Sequence, residues 1–207
     1  MINFSKYKVI LWDFDGVLMD SMPVRDKGFE LVLKQYPEAQ LKELMIYHRR
    51  NGGLSRYVKF RYFFEQIRKE AITDEKVLAL AAEFSVLMRQ ELTNAQLLIN
   101  DSMAFVKKSY THWKMHIVSG SDGQELNYLC EALGVAQYFQ SIHGSPTPKK
   151  ELVRNLLENY NPQDCILIGD AINDYDAAVA NGIAFCGYNN TSLRDLPALY
   201  INSFNEL

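Results

Sequence analysis

The run Val9-Ile10-Leu11-Trp12 ends on Asp13-Phe14-Asp15-Gly16, and that junction constrains the fold more than any other stretch. A short apolar run bounded by turn chemistry reads as a strand buried on both faces, the kind found in parallel sheets. Two carboxylates at its end must find partners or a cation, because burying them alone is costly. In open α/β sheets that end of the strands is also where ligands bind. If the extended geometry persists through Phe14, Asp13 and Asp15 share a face and Phe14 turns into the core. Acids that close repel unless one is protonated or a cation lies between them. One can then stay ionised as a nucleophile or metal ligand while the other shuttles a proton. The competing reading is a solvated Asx-type turn, and the rest of the chain has to decide between them.

Four segments are expected as buried strands: 8–13, 114–119, 165–169 and 183–186. Helical patterns over about 122–133, 148–160 and 174–181 separate the later ones, with Gly134 and Gly182 as C-terminal stops. Strands alternating with helices predict right-handed crossovers and a parallel, Rossmann-like α/β sheet. Residues 20–99 break the rhythm, showing helical periodicity and no convincing strand. That is too much for one crossover. It predicts a helical domain over 19–99 inserted into a core formed by 1–18 and 100–207, with linkers near 16–22 and 94–101. A helical lid above an acid pair can exclude water from a reaction.

The net charge of -3 gives no support to a nucleic-acid or membrane-surface role. Cys130, Cys165 and Cys186 form no C-x-x-C pair and fit a reducing compartment. No run approaches the roughly 18 apolar residues of a membrane helix. The N-terminus leads straight into the first strand, with no room for a signal peptide. A soluble, cytoplasmic protein is expected.

Gly169-Asp170-Ala171-Ile172-Asn173-Asp174 follows the third expected strand. Asp170 would meet Asp13 if their strands are neighbours, whereas Asp174 reads equally well as a helix cap. Converging carboxylates form a hard oxygen site suited to Mg²⁺, which favours carboxylates, waters and a substrate phosphate. Asp176 is expected on the solvated helix face. Ser119-Gly120-Ser121 ends the second strand, where a hydroxyl and exposed N–H groups can cradle a phosphate. The alternative there is a helix N-cap, with Ser121 or Asp122 as the cap.

Thr147-Pro148-Lys149-Lys150 reads as N-cap, N1 proline and two lysines. Cations oppose the dipole at a helix start unless an anion lies between. Lys149 and Lys150 differ by about 100° around the axis, so one of the two faces inward. His48, His112, His116 and His143 show no ligand spacing and read as structural or surface residues. Arg49, Arg50, Arg56, Lys59 and Arg61 surround Asn51-Gly52-Gly53-Leu54-Ser55. They form either a solvated face or a lid loop that selects an anionic substrate.

Asp13-x-Asp15-Gly-Val-Leu, Ser119, a lysine opening a later helix and Gly169-Asp170-x-x-x-Asp174 follow one another as the four motifs of the haloacid dehalogenase-like (HAD) superfamily do. The chain resembles that superfamily from residue 8 to about 187. The insertion is similar to the C1-type cap of phosphoglycolate phosphatase-like and β-phosphoglucomutase-like members, and Gly53-Leu54-Ser55-Arg56 looks like the cap loop that reads the substrate's far end. The resemblance implies a Mg²⁺-dependent phosphatase of a small phosphorylated metabolite. Asp13 would be the nucleophile that becomes an aspartyl-phosphate. Asp15 would be the acid and base, with its backbone carbonyl on the metal. Ser119, Gly120 and Lys149 would hold the phosphoryl group, and Arg56 and Lys59 the rest of the substrate. Asp170 and Asp174 would bind or support Mg²⁺.

One departure stands out. Where many relatives carry Lys-Pro in the third motif, this chain has Ser145-Pro146, which makes Lys149 the substitute. Asp15 argues against dehalogenase chemistry, which has no leaving-group oxygen to protonate. The rivals are a sugar phosphomutase using the same intermediate and a non-catalytic binding protein of the same fold.

Overall fold

The computed structural model describes residues 4–207. Met1–Asn3, where the leaderless start was expected, lie outside the described residues. Six strands form one parallel sheet: β1 (Val9–Trp12), β2 (Lys114–Asp122), β3 (Ser141–Ser145), β4 (Cys165–Gly169), β5 (Ala184–Tyr188) and β6 (Leu199–Ile201). Their order is β3-β2-β1-β4-β5-β6, with every pairing parallel. The chain winds one way from β1 to β3 and the other way from β4 to β6. The order therefore reverses between β1 and β4, and a crevice opens there at the carboxyl ends of the strands.

The apolar runs fold as central strands because both of their faces are covered. Ile10 and Trp12 join Met115, Ile117, Ile166 and Ile168 in one buried cluster, while Val9 and Leu11 join Val118, Cys165 and Leu167 in the other. Period-2 alternation thus splits one hydrophobic strand between two cores. Helices α5 (Asn100–Ser109), α6 (Gly123–Ala132), α7 (Lys149–Leu157) and α8 (Ile172–Ala180) make the crossovers. The α/β fold class is as the alternation predicted. Helix α7 starts one residue later than expected, because Pro148 keeps an extended ψ of 142° and serves as the N-cap.

Strands β3 and β6 were not expected. Both are short, and β3 reads Ser-Ile-His-Gly-Ser with only Ser145 buried. β3 is an edge strand held by its ladder to β2 rather than by apolar side chains.

Between β1 and β2 lie α1 (Met22–Val32), α2 (Glu38–Arg50), α3 (Arg56–Tyr62), a π-helical turn (Phe63–Arg68) and α4 (Asp74–Glu91). Phe29 packs its ring 4.6 Å from that of Phe84 and 5.3 Å from that of Phe60, and this core is continuous with the sheet's. Gly28 lets α1 approach α4, since a Cβ there would lie 2.6 Å from Met88. The two segments joining insertion to sheet pair with each other. Asp20 N–H donates to Leu97 O at 2.8 Å and Ile99 N–H to Leu18 O at 2.9 Å. Among the described residues no helix is long and apolar enough to cross a membrane, and the three cysteines are free and buried.

Candidate active site

Asp13 leaves the end of β1 beside β4, with its N–H donating to Ile168 O at 2.9 Å. Its Oδ1 accepts from the Phe14 N–H at 2.8 Å and pairs with Lys149 Nζ at 2.9 Å. Lys149 also pairs with Asp174 Oδ1, whose Oδ2 accepts from the Ala171 N–H at 3.0 Å and so caps α8. Asp174 sits at the third position of that helix, fully buried over Gly169, where a Cβ would lie 2.4 Å from its carboxylate. Asp170 completes the group, and the three acids can bring one oxygen each within 4.8 Å of one another.

Burial raises Asp13 to about 7, with the Asp174 charge adding to it and Lys149 opposing. Asp170 is raised well above the usual carboxylate range by burial and by the charges of Asp13 and Asp174. Burial works against the Lys149 charge too, but Asp13 and Asp174 outweigh it and hold the lysine protonated. Three hard oxygen donors facing one ammonium carry a net negative charge that a divalent cation fits.

The extended strand does not persist to Asp15, although its carboxylate lines the same space as that of Asp13. β1 ends at Trp12, and Phe14 O accepts from the Leu18 and Met19 N–H groups as the chain turns through Gly16, at φ 75°. The Asp15 carboxylate therefore faces the insertion. Its Oδ1 accepts from Ser21 Oγ at 2.5 Å and Arg25 Nε at 2.7 Å, and its Oδ2 from Ser121 Oγ at 2.5 Å. Burial pushes its pKa up, but Arg25 and the two serines more than offset this and hold it below the usual range. The side chain is thus engaged elsewhere, leaving the backbone carbonyl for the metal role the resemblance implies. Phe14 is fully buried, as expected.

Ser119 is buried and its Oγ accepts from the Ser121 N–H at 3.2 Å. Asp122, not Ser121, caps α6, accepting from the Glu125 N–H at 2.9 Å. Lys149 is the inward lysine, while Lys150 and Asp176 are exposed. The insertion closes over these groups. Gly53 O would lie 2.2 Å from a Cβ on Gly120, so two glycine backbones meet directly. The enclosed space, lined by Asp13, Asp15, Arg25, Lys59, Ser119 and Asp170 among others, is about 30 Å³, room for about one or two waters.

The basic loop is mostly engaged already. Arg49 pairs with Asp26 at 2.8 Å, and Arg61 with Asp74. Arg56 is buried with both terminal nitrogens on Glu125, at 2.6 and 2.7 Å, and its guanidinium lies 4.5 Å from the centre of the Phe84 ring. Sequence reading missed Ser21, Arg25 and Glu125. Asp122-x-x-Glu125 has the spacing of a capping box, which hides the fact that the glutamate reaches Arg25 and Arg56 instead.

Residues 7–182 match the family model described as haloacid dehalogenase-like hydrolase. The chain belongs to that family. This HAD-like hydrolase is similar to phosphoglycolate phosphatase 1 of Pseudomonas aeruginosa, at 23% identity over 97% of the chain and 78% of the relative. Its fold is similar to that of CbbY from Rhodobacter sphaeroides solved with xylulose-(1,5)-bisphosphate, at a TM-score of 0.78, 14% identity and 97% and 96% coverage. β-Phosphoglucomutase from Clostridium difficile aligns at a TM-score of 0.75 and 19% identity, covering 97% of this chain and 93% of that one.

Proposed function

We propose that this hydrolase is a Mg²⁺-dependent phosphatase of a small phosphorylated metabolite, acting through an aspartyl-phosphate on Asp13. The observation that carries the reading is the division of the Asp-x-Asp pair. Asp13 faces Lys149 and two further acids, while Asp15 faces hydroxyls and a guanidinium. The environments separate the two carboxylates, and Asp13 gives up its proton when the acid cluster binds a cation, which leaves it ionised for attack.

Asp13 attacks phosphorus in line. Ser119, the Gly120 N–H and Lys149 hold the phosphoryl oxygens, and Lys149 balances charge on the nucleophile. Asp15, which Arg25, Ser21 and Ser121 hold ionised here, takes up a proton for the leaving oxygen only where those contacts are given up, and as the ionised base it later takes one from water. Asp13, Asp170, the Asp15 carbonyl and the supporting Asp174 fit Mg²⁺, which when bound neutralises charge on the transferring group. The inserted helices over 19–99 act as the cap on a core of 1–18 and 100–207. They must lift for substrate to enter the small closed space. Arg56 and Lys59 face the substrate side of that cap.

The test is phosphate release across a panel of phosphorylated metabolites with Mg²⁺, beside Asp13→Asn. Turnover is expected for the native protein and none for the variant, with an unchanged circular dichroism spectrum. Retained turnover in Asp13→Asn would remove the nucleophile from this reading. Conversion of a sugar phosphate to its isomer without free phosphate would replace the phosphatase with a phosphomutase.

A further inference from the structure

The loop that leaves β5 touches both acid-bearing turns of the site, and it does so through two adjacent residues. Asn189 Nδ2 donates to Gly16 O at 2.9 Å, and Asn190 Nδ2 donates to Asp170 O at 2.7 Å. Strand β1, which carries the first of those turns, is not a neighbour of β5, because β4 lies between them. Asn189 therefore reaches past the end of β4 to the turn beyond it.

Each bond completes a stretch of backbone that is already held at another point. Gly16 N–H donates to Met19 O at 2.7 Å, and in a trans peptide the preceding carbonyl, that of Asp15, points the opposite way. With Asn189 on Gly16 O, the peptide planes on both sides of Gly16 are fixed, and the direction of the Asp15 carbonyl is fixed with them. The Asp170–Ala171 peptide is pinned at both ends, its carbonyl by Asn190 and its N–H by Asp174 Oδ2 at 3.0 Å. The two turns also press on each other. The Asp170 carboxylate lies so close to Gly16 that a Cβ there has no room.

The residue types suit this task. Asn189 has a φ of 56°, in the left-handed region that asparagine tolerates better than most residues with a Cβ. Asn190 turns its Oδ1 to the Ser192 N–H at 3.1 Å and to Ser192 Oγ at 2.8 Å. Its amide is thus held by the oxygen while the nitrogen bonds Asp170. Neither asparagine lines the closed space that holds Asp13, so both act through the backbone they hold.

A small, hard cation makes that spacing matter. Mg²⁺ demands near-ideal octahedral geometry at about 2.0–2.1 Å, whereas Ca²⁺ accepts roughly six to eight oxygens at about 2.3–2.6 Å in flexible arrangements. Donors on fixed backbone can discriminate between the two ions, and donors on a loose loop cannot. We infer that Asn189 and Asn190 are positioning residues that hold the Asp15 carbonyl and Asp170 at the spacing Mg²⁺ requires. The inference rests on the Mg²⁺ site proposed above and extends its support to the loop after β5.

The test is calorimetric binding of Mg²⁺ and of Ca²⁺ to the full chain, native and variant, at one fixed pH. Asn189→Gly keeps the left-handed backbone and loses the amide. Asn190→Ser keeps an oxygen that can cap the turn at Ser192, while its shorter side chain gives up Asp170 O. Each is expected to weaken Mg²⁺ by about tenfold, the lower end of the losses on removing a partner behind a metal ligand. Ca²⁺ should weaken by less than about threefold, because its coordination is flexible, so the Mg²⁺-to-Ca²⁺ affinity ratio falls. The thermal midpoint without metal is measured alongside. A lower midpoint with an unchanged affinity ratio is what a merely structural loop would give, and it would overturn the inference. Unchanged Mg²⁺ affinity in both variants would overturn it too while leaving the metal site standing. A native protein that binds neither ion would overturn the metal site along with it.

Discussion

Three alanine substitutions around the closed cavity should fall in a fixed order of damage. At Gly120 an added Cβ would lie 2.2 Å from Gly53 O and 2.9 Å from its carbonyl carbon. Backbone cannot rotate out of the way as a side-chain tip can, so the loop carrying Gly53 must retreat by about 1 Å to reach ordinary contact. A displacement of that size next to a reacting centre costs about 10²-fold, or about 2.7 kcal/mol of transition-state stabilisation. At Gly53 the added Cβ meets Asn173 Cβ at 2.9 Å, which a small shift relieves, and about three- to tenfold is expected. At Gly52 the nearest atom is Ala171 Cβ at 3.9 Å, ordinary contact, so kcat/KM should stay within about twofold. None of the three has a left-handed backbone, so space rather than strain sets the order. The assay is kcat/KM for phosphate release with the thermal midpoint measured alongside. The Gly120→Ala clash is relieved by lifting the insertion, so its midpoint should move much less than its rate. Full activity in Gly120→Ala, or equal losses at Gly52 and Gly120, would refute the idea that the reaction runs with these two backbones in contact.

Mg²⁺ affinity should rise with pH through about 7 and weaken below it, because burial holds the Asp13 proton up to about 7 and raises Asp170 as well, and those protons must leave as the cation enters. Calorimetry in buffers of different ionisation enthalpy should detect their release, and a pH-independent affinity would contradict it. Glu125→Ala should cost about 3–5 kcal/mol in urea unfolding, since it strips the shared counterion from buried Arg25 and Arg56. A loss under about 1 kcal/mol, the range of an exposed ion pair, would mean the pairs contribute no more than surface contacts.

The parts legible in the sequence are those where one segment carries its own signal. β1, β2, β4 and β5 are apolar runs, and a strand covered on both faces needs little else to declare itself. β3 has no such run. It is placed by register, with His116 opposite Ser141 and Val118 opposite His143, and by Gly144, where a Cβ would lie 2.5 Å from Ser121 O. Its neighbours select it, so its own residues do not reveal it. The choice between Lys149 and Lys150 was open from sequence because adjacent helical positions differ only in direction, and the seating of α7 against Asp13 and Asp174 decides it.

The cap-side charges show a deeper limit. Five basic residues around Gly52-Gly53 looked like one anion-reading loop, yet Arg49, Arg56 and Arg61 pair with Asp26, Glu125 and Asp74 from other segments. Glu125 is 69 residues from Arg56 and 100 from Arg25. A count of local charges therefore overstates the positive field and points to Arg56, whose guanidinium Glu125 takes in two bonds. Affinity for an anion depends on what is left after internal pairing; Arg50 is exposed, and the buried member of the five without an ion pair is Lys59, whose Nζ has a carbonyl at 3.3 Å. The same subtraction explains the acid side, where Lys149 offsets part of the charge of three carboxylates and the remainder suits a divalent cation. Each surplus emerges only once the chain has brought distant residues together.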